Sequence, residues 1–463
     1  MREKMSIILR SLNGTKSLTE GKPMKLILGF GLPLLFGLIF QQFYNMVDTI
    51  IVGQKLGMNA LAAVGSTGSI NFMIVGFCIG ICNGFAIPVA QCFGAKDYIN
   101  LKKYITNSAW MSLIFSVVIT AVVGVLTHQI LVWMHTPAAI MQDADTYIFI
   151  VFMGIPAIFL YNVTSGILRS MGDSVTPLLF LIFSSLLNII LDLIMVPMIG
   201  VAGAAIATIT SQGISGVICL IYMIRKFGFL KFEREDWTFS RRHALKLCGM
   251  GVPMGLQYSI TAIGSVILQT AVNSLGETVV AAVSAGSKIG MFACCPFDAM
   301  GSTMATYGGQ NVGAGRLDRV DQGLKDCLKL GIGYALIAFV FMLVFGKSLT
   351  LLFVSPSEPH ITELMDLTYR YLIGNSAFYI PLAFVNIVRF MIQGLGYSTF
   401  AVLAGVCEMV ARGLAGFVLV PIFGYIFVAL GSPLAWVFAD AFLIPAYFYV
   451  MRRLRRKLQP EAV

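Results

Sequence analysis

The segment Asn188–Thr208 reads NIILDLIMVPMIGVAGAAIAT and contains one charged residue, Asp192. Apolar stretches of about 20 residues recur along the chain, which is the length of helix needed to cross a hydrocarbon layer of roughly 30 Å. Of the 463 residues, 57% are hydrophobic and only 12% are charged. A soluble domain carries about a quarter charged residues. We therefore predict an all-α integral membrane protein.

Apolar runs separated by Gly, Pro and charged residues predict twelve transmembrane helices. The predicted spans are 25–50, 61–88, 106–130, 147–169, 177–197, 201–224, 246–272, 280–308, 327–352, 369–393, 399–421 and 427–450. We expect two pseudo-symmetric six-helix lobes, 25–224 and 247–451, joined by a cytoplasmic linker at 225–246. A cytoplasmic tail at 1–24 and a basic tail at 452–463 flank the lobes.

The distribution of Lys and Arg predicts the orientation. With the N-terminus inside the cell, 26 of the 32 basic residues lie in segments that face the cytoplasm. This bias follows the positive-inside rule and accounts for the net charge of +10. We expect a plasma (inner) membrane protein with both termini in the cytoplasm and the lipid bilayer, rather than nucleic acid, as its partner.

An internal repeat relates the two halves. The paired segments are GLP (Gly31–Pro33) and GVP (Gly251–Pro253), KLGMNALAAV (Lys55–Val64) and SLGETVVAAV (Ser274–Val283), AQCFGAKD (Ala90–Asp97) and GQNVGAGR (Gly309–Arg316), LRSMGDS (Leu168–Ser174) and IQGLGYS (Ile392–Ser398), and VPMIG (Val196–Gly200) and VPIFG (Val420–Gly424). Six spans per half make these parallel repeats, so we expect a cavity between two bundles that rock during transport.

Three features of the sequence point to one known family: the helix-opening Pro33 and Pro253, the Gln-x-x-Gly-Ala sequences at Gln91 and Gln310, and the segment Asn188–Thr208. In these features the chain resembles the MATE (multidrug and toxic compound extrusion) family of the MOP superfamily. The resemblance covers the chain beyond its N-terminal tail. It implies a twelve-helix antiporter that exports cationic or amphipathic compounds in exchange for H⁺ or Na⁺. The superfamily also contains lipid-linked oligosaccharide flippases.

Two aspartates within spans are the main candidates for ion coupling, because intramembrane charges are costly and mark functional sites. Asp48 lies four residues after Tyr44, and Asp192 four residues after Asn188, so each pair shares a helix face. Thr210 on the sixth span is expected to face them. Two carboxylates in a partly dry site favour a bound proton, and with the oxygens of Asn188 and Thr210 they can alternatively hold Na⁺. In the MATE branch that the chain resembles most, the five matching positions form the cation site.

The C-terminal half lacks the carboxylates that another MATE branch has in its seventh and tenth helices, so we do not expect an ion site of that pattern. Glu408 and Arg412 form an i, i+4 pair that we interpret as a structural ion pair. Pro33, Pro156, Pro253 and Pro381 are expected bending points, with Pro33 as the hinge candidate. The candidates for lining the cavity or binding substrate are Asn45, Gln257, Asp298, Gln393, Glu408 and Arg412.

Other functional classes fit the sequence less well. The chain has no GxxxxGK[ST] loop, no GxSxG and no HExxH sequence, so we expect neither an ATP-driven pump nor an enzyme. A flippase for a lipid-linked oligosaccharide or a related anionic precursor is the alternative. With the bases near the span ends counted as part of the two membrane faces, five acids (Asp48, Asp192, Asp298, Glu408, Asp440) outnumber three bases (Lys288, Arg389, Arg412) within the spans, which favours cationic cargo. We expect a monomer with no cofactor beyond the coupling ion.

Overall fold

The computed structural model describes residues 17–227, 232–353 and 361–458. The outer parts of both predicted tails and residues 228–231 of the predicted linker lie outside the described residues. The described ranges are almost entirely helical and contain no β-strand.

The helices follow one another with short connections. The first half contains α1 (Pro23–Leu56), α2 (Met58–Ser66), α3 (Gly68–Gly94), α4 (Tyr98–Trp133), α5 (Ala138–Met153), α6 (Ile155–Ser170), α7 (Val175–Ile199) and α8 (Val201–Lys226). The second half contains α9 (Arg241–Asn273), α10 (Glu277–Gly313), α11 (Leu317–Thr350), α12 (Ile361–Ser376), α13 (Tyr379–Gly394), α14 (Thr399–Leu414), α15 (Val420–Phe423) and α16 (Tyr425–Leu458). A 3₁₀ helix (Arg234–Trp237) precedes α9, and a π-helical turn (Ala415–Leu419) joins α14 to α15.

Among the described residues, ten helices are long and apolar enough to cross a membrane. Two further spans are broken: α5 and α6 meet at 46°, and α12 and α13 meet at 49°. Each break lies shortly before a predicted bending point, Pro156 or Pro381. Counting each bent pair as one span gives twelve, which confirms the predicted all-α membrane fold.

Contacts between residues divide the chain into two compact units. Within the described part, unit 1 contains the residues up to Glu20 and Leu32–Leu256, and unit 2 contains Gly21–Gly31 and the residues from Gln257 onward. Of the three divisions, the first lies just before α1, and the other two fall inside long helices, next to Pro33 in α1 and shortly after Pro253 in α9. The contact boundaries therefore differ from the predicted lobe boundaries at these two helices.

The repeat extends to backbone geometry. Gly200 and Gly424, which end the two VP-x-x-G segments, both have positive φ angles, of 67° and 65°. Lys96 and Gly315 are also repeat partners, with φ angles of 57° and 71°. A left-handed backbone is uncommon for lysine, so its presence opposite a glycine indicates that the turn is required in both halves.

Small residues bring α3 and the first half of α9 into close contact inside unit 1. A Cβ on Gly84 would lie 2.4 Å from the Cα of Gly251, and a Cβ on Gly80 would lie 2.6 Å from the Met254 carbonyl oxygen. Gly80 and Gly84 form a GxxxG sequence, and Gly251 and Gly255 form another. Such sequences allow helix backbones to approach closely in a membrane.

The described end of the linker packs on α4. The Thr106 hydroxyl donates to the Asp236 carbonyl oxygen at 2.6 Å, and the Ser240 amide donates to Asn107 Oδ1 at 2.8 Å. Asp97 begins α4 by accepting the Asn100 amide at 3.1 Å. These contacts fix the linker to unit 1 just before α9 begins.

Candidate functional site

Four helices of unit 1 form the candidate site. Helix α1 carries Tyr44 and Asp48, and α7 carries Asn188 and Asp192 one turn apart. Helices α5 and α8 add Tyr147 and Thr208. The two predicted i, i+4 pairs are therefore brought together by the packing of α1 and α7.

The two carboxyl groups lie close enough to interact electrostatically. Asp192 is fully buried, with 0% of its surface exposed, and Asp48 is partly buried. Neither Asp192 oxygen nor Asp48 Oδ1 receives a hydrogen bond from the described residues. Because facing carboxylates without donors repel each other, this arrangement favours a bound cation.

Asn188 supplies a third oxygen. Its side chain is only 2% exposed, its Nδ2 donates to Thr208 Oγ1 at 3.3 Å, and its Oδ1 has no hydrogen-bond donor among the described residues. The hydrogen bond from Nδ2 orients the amide and leaves the carbonyl oxygen free for a cation. Oxygen ligands of this kind suit Na⁺ as well as a proton held between carboxylates.

The threonine that contacts Asn188 in the structure is Thr208, not the predicted Thr210. The Thr210 side chain is exposed, whereas Thr208 contacts Asn188. Two residues along a helix correspond to a rotation of about 200°, so Thr208 and Thr210 point to nearly opposite sides of α8. The sequence analysis did not identify Thr208, because the sequence does not specify the rotation of α8 relative to α7. A role of Thr210 in the site stays a prediction.

Two tyrosines lie beside the carboxyl groups. Tyr44 is close enough to Asp48 to interact with it electrostatically, as predicted from their spacing. Tyr147 is buried and interacts with both Asp48 and Asp192. The sequence analysis missed Tyr147, since no periodicity relates α5 to α1 or α7. Asn45, one residue from Tyr44, is exposed on a different face of α1.

The candidates of the C-terminal half lie in unit 2. Glu408 contacts Arg389 and also Arg412, whose Nη1 lies 3.5 Å from Glu408 Oε2. The predicted Glu408–Arg412 pair is thus present, and Arg389 is a second partner that we did not predict. Gln393 Nε2 donates to Gln257 Oε1 at 2.6 Å, and both side chains are buried.

The sequence of this chain matches a known protein family in both of its halves. The family model MatE matches residues 33–194 and matches again at residues 253–418. The chain belongs to the MatE family. The double match agrees with the duplication inferred from the repeats, and the family predicted from the motifs is confirmed.

Relatives and solved structures agree with this assignment. The chain is 30% identical over 372 residues to the probable multidrug resistance protein YpnP of Bacillus subtilis (strain 168), covering 80% of this chain and 82% of that protein. It is 22% identical over 392 residues to the FAD transporter of Shewanella oneidensis, covering 83% and 85%. A crystal structure of MATE in complex with MaL6 superposes with a TM-score of 0.87 at 23% identity, covering 96% of this chain and 99% of that one.

The family and the apolar helices together make the chain an integral membrane protein. The solved MATE structure shares its fold, in which twelve helices form two bundles. The members of the family are transporters, so the chain is a transporter rather than an enzyme, as predicted. The roles of the individual site residues stay predictions.

Proposed function

We propose that the chain is a secondary active antiporter that exports amphipathic organic compounds, and that Asp48 and Asp192 bind the coupling cation, H⁺ or Na⁺. The observation that carries this proposal is a pair of interacting carboxyl groups, three of whose oxygens have no hydrogen-bond donor among the described residues. Asn188, oriented by Thr208, completes the set of oxygens. Tyr44 and Tyr147 exclude water from the pair.

The coupling follows from electrostatic repulsion. Two unit charges about 4 Å apart repel by about 4 kcal/mol at an effective dielectric constant of about 20. An energy of this size changes the equilibrium constant between two conformations by about a thousandfold. A bound cation therefore stabilises the arrangement in which α1 and α7 hold the two carboxyl groups together, and its loss favours their separation.

We propose Pro33 as the hinge for this change, in a cycle of alternating access by two rocking bundles. Proline cannot donate the backbone hydrogen bond to residue 29, so α1 bends more easily at this position. The division of α1 between the two units next to Pro33 supports the proposal. With both termini in the cytoplasm, as we further propose, the carboxyl pair lies towards the outer end of α1.

We propose cationic or amphipathic drugs as cargo, since the relative in Bacillus subtilis is named a probable multidrug resistance protein. A second candidate is an anionic dinucleotide, because another relative is named an FAD transporter. A flippase reaction on a lipid-linked precursor remains the third alternative.

Transport into proteoliposomes tests both the cargo and the ion. An organic cation dye, FAD and a lipid-linked sugar are compared under an imposed pH gradient and, separately, an imposed Na⁺ gradient. We expect dye movement driven by one of the two gradients. Transport of FAD or of the lipid-linked sugar without transport of the dye would overturn the proposed cargo. Dye transport at a rate independent of both gradients would overturn the proposed antiport.

A further inference from the structure

Basic and aromatic side chains lie together where the described end of the linker packs on α4, within unit 1. The segments 96–110 and 232–246 meet here through the hydrogen bond from Thr106 to Asp236. Together they contain seven basic and four acidic residues, which gives a net charge of +3. This part of the molecule is therefore suited to an anionic partner.

Three bases lie around His243, which is in the first turn of α9. Lys103 of α4 and Arg242 and Lys246 of α9 all interact electrostatically with this histidine. The histidine Nε2 lies 3.2 Å from Asn100 Oδ1, and this contact joins the two helices at the basic group. Because like charges repel each other, an anion among the three bases stabilises the arrangement.

The acids of the two segments do not pair with this basic group. Asp97 accepts hydrogen bonds from the amide and Nδ2 of Asn100, at 3.1 Å and 2.7 Å, and Asp236 pairs with Lys102 at 3.6 Å. The other two acids, which are exposed near the 3₁₀ helix, are Glu233 and Glu235. In the described part of the chain, none of the three bases around His243 forms an ion pair, so they are available to a ligand.

Exposed apolar side chains lie on the same helix faces as the bases. Trp110 follows Lys103 by two helical turns, and Leu245 follows Arg242 by three residues, so each pair shares a face. The Trp110 Nε1 donates to the Trp237 carbonyl oxygen at 3.0 Å. The side chains of Trp110, Trp237 and Leu245 are 40%, 47% and 61% exposed. Tryptophan is enriched at the level of lipid headgroups, so these residues indicate that the basic group lies near that level.

The lengths of the two helices agree with this depth. Helix α4 has 36 residues and α9 has 33. At 1.5 Å per residue, each is about 50 Å long, whereas the hydrocarbon core of a bilayer is roughly 30 Å thick. The first turns of these helices, which carry the bases, therefore extend into the headgroup region.

We propose that Lys103, Arg242 and Lys246 bind the phosphate of an anionic phospholipid whose acyl chains pack along Trp110 and Leu245. A phospholipid matches both halves of the surface, since its phosphate meets the bases and its chains cover the exposed apolar side chains. A soluble phosphate would leave the apolar side chains uncovered. The site is separate from the carboxyl pair and goes beyond the proposed function.

Quenching of tryptophan fluorescence tests this site in the full-length protein, reconstituted in phosphatidylcholine bilayers. Bromine on an acyl chain quenches a tryptophan only at close range, so a brominated lipid bound here quenches Trp110 and Trp237. We expect brominated phosphatidylglycerol to quench more strongly than brominated phosphatidylcholine at the same mole fraction. Equal quenching by the two lipids would overturn the proposal.

Two tryptophan substitutions locate the bound lipid. The variant with both Trp110→Phe and Trp237→Phe retains Trp133, at the other end of α4, and Trp436 of unit 2. We expect the excess quenching by phosphatidylglycerol to disappear in this variant. Excess quenching of the wild-type size would place the lipid elsewhere and contradict the proposal.

Removal of two bases tests the role of charge. Each base near a membrane surface strengthens binding to anionic lipid by about fivefold, so we expect Arg242→Gln with Lys246→Gln to lower the apparent affinity for phosphatidylglycerol about thirtyfold. The matched control is Lys325→Gln with Lys329→Gln on α11, which removes two bases at the same spacing. Lys329 pairs with Asp326 at 3.8 Å, and we expect this control to keep the wild-type affinity. An unchanged affinity in the first variant, or equal losses in both, would contradict the site.

Two further measurements separate charge from folding and lipid from free phosphate. Arg242→Lys with Lys246→Arg preserves both charges and should retain the preference for phosphatidylglycerol, whereas its loss would count against a charge-based site. Inorganic phosphate, added at constant ionic strength, should not reduce the excess quenching. If it abolishes this quenching, the bases bind soluble phosphate and the lipid assignment is wrong. None of these measurements needs cargo or a gradient, so their outcome is independent of the proposed antiport.

Discussion

At the residue scale, helical spacing predicted which side chains share a face but not which faces meet. The spacing of four residues placed Tyr44 with Asp48 and Asn188 with Asp192, and the structure brings the two aspartates together. It did not identify Thr208 or Tyr147, since the rotation and tilt of α8 and α5 depend on packing. Local sequence contains no such information.

Substitution of Thr208 and of Thr210 tests directly which of the two threonines acts at the site. Thr208→Ala removes the acceptor that orients the Asn188 amide. A hydrogen bond contributes about 1 kcal/mol, so we expect the coupling-ion concentration for half-maximal efflux to rise about fivefold. Thr210→Ala is the matched comparison, and we expect it to raise this concentration less, because the Thr210 side chain is exposed and Thr208 is the hydrogen-bond partner of Asn188. Equal effects of the two substitutions would contradict the assignment of Thr208.

At the element scale, hydropathy predicted where helices exist, and glycine contacts explain how two of them pack. The sequence shows both GxxxG segments, in α3 and α9, but not that they face each other. Similarly, Pro156 and Pro381 indicated where bends could occur, while the angles of 46° and 49° depend on the neighbouring helices.

Gly84→Ala tests the close approach of α3 and α9. Its Cβ would lie 2.4 Å from the Gly251 Cα, and a backbone atom cannot move away without shifting the helix. Overpacking of this kind costs about 1–3 kcal/mol, so we expect a lower melting temperature in detergent. Gly249→Ala in α9 is the control, since no atom lies within 4 Å of its added Cβ. A melting temperature for Gly84→Ala at or above that of Gly249→Ala would contradict the contact.

At the scale of the whole molecule, composition, charge distribution and repeats predicted the twelve-helix fold and the duplication. The positions at which the contacts divide the chain were not predictable in this way. An uninterrupted helix such as α1 looks like part of one lobe, yet its first turns belong to unit 2 and the remainder to unit 1. This division depends on long-range contacts that hydropathy does not record.

Pro33→Ala tests the hinge in α1. Alanine restores the backbone hydrogen-bond donor and stiffens the helix. We therefore expect transport to slow by roughly tenfold, which corresponds to an increase of about 1.4 kcal/mol in the activation barrier. The folded protein should remain in the membrane. Pro445→Ala, in the interior of α16 within unit 2, is the matched control. Full transport by Pro33→Ala, or equal slowing by Pro445→Ala, would show that α1 does not bend there during the cycle.

The central claim is that the Asp48–Asp192 pair couples ion entry to export. The most direct measurement is dye efflux from proteoliposomes, with and without an imposed ion gradient, for the wild type, Asp48→Asn, Asp192→Asn and the exposed control Asp318→Asn. We predict that the gradient accelerates efflux by the wild type and the control but has no effect on either of the other two variants. Gradient-driven efflux at the wild-type rate in both Asp48→Asn and Asp192→Asn would contradict the account.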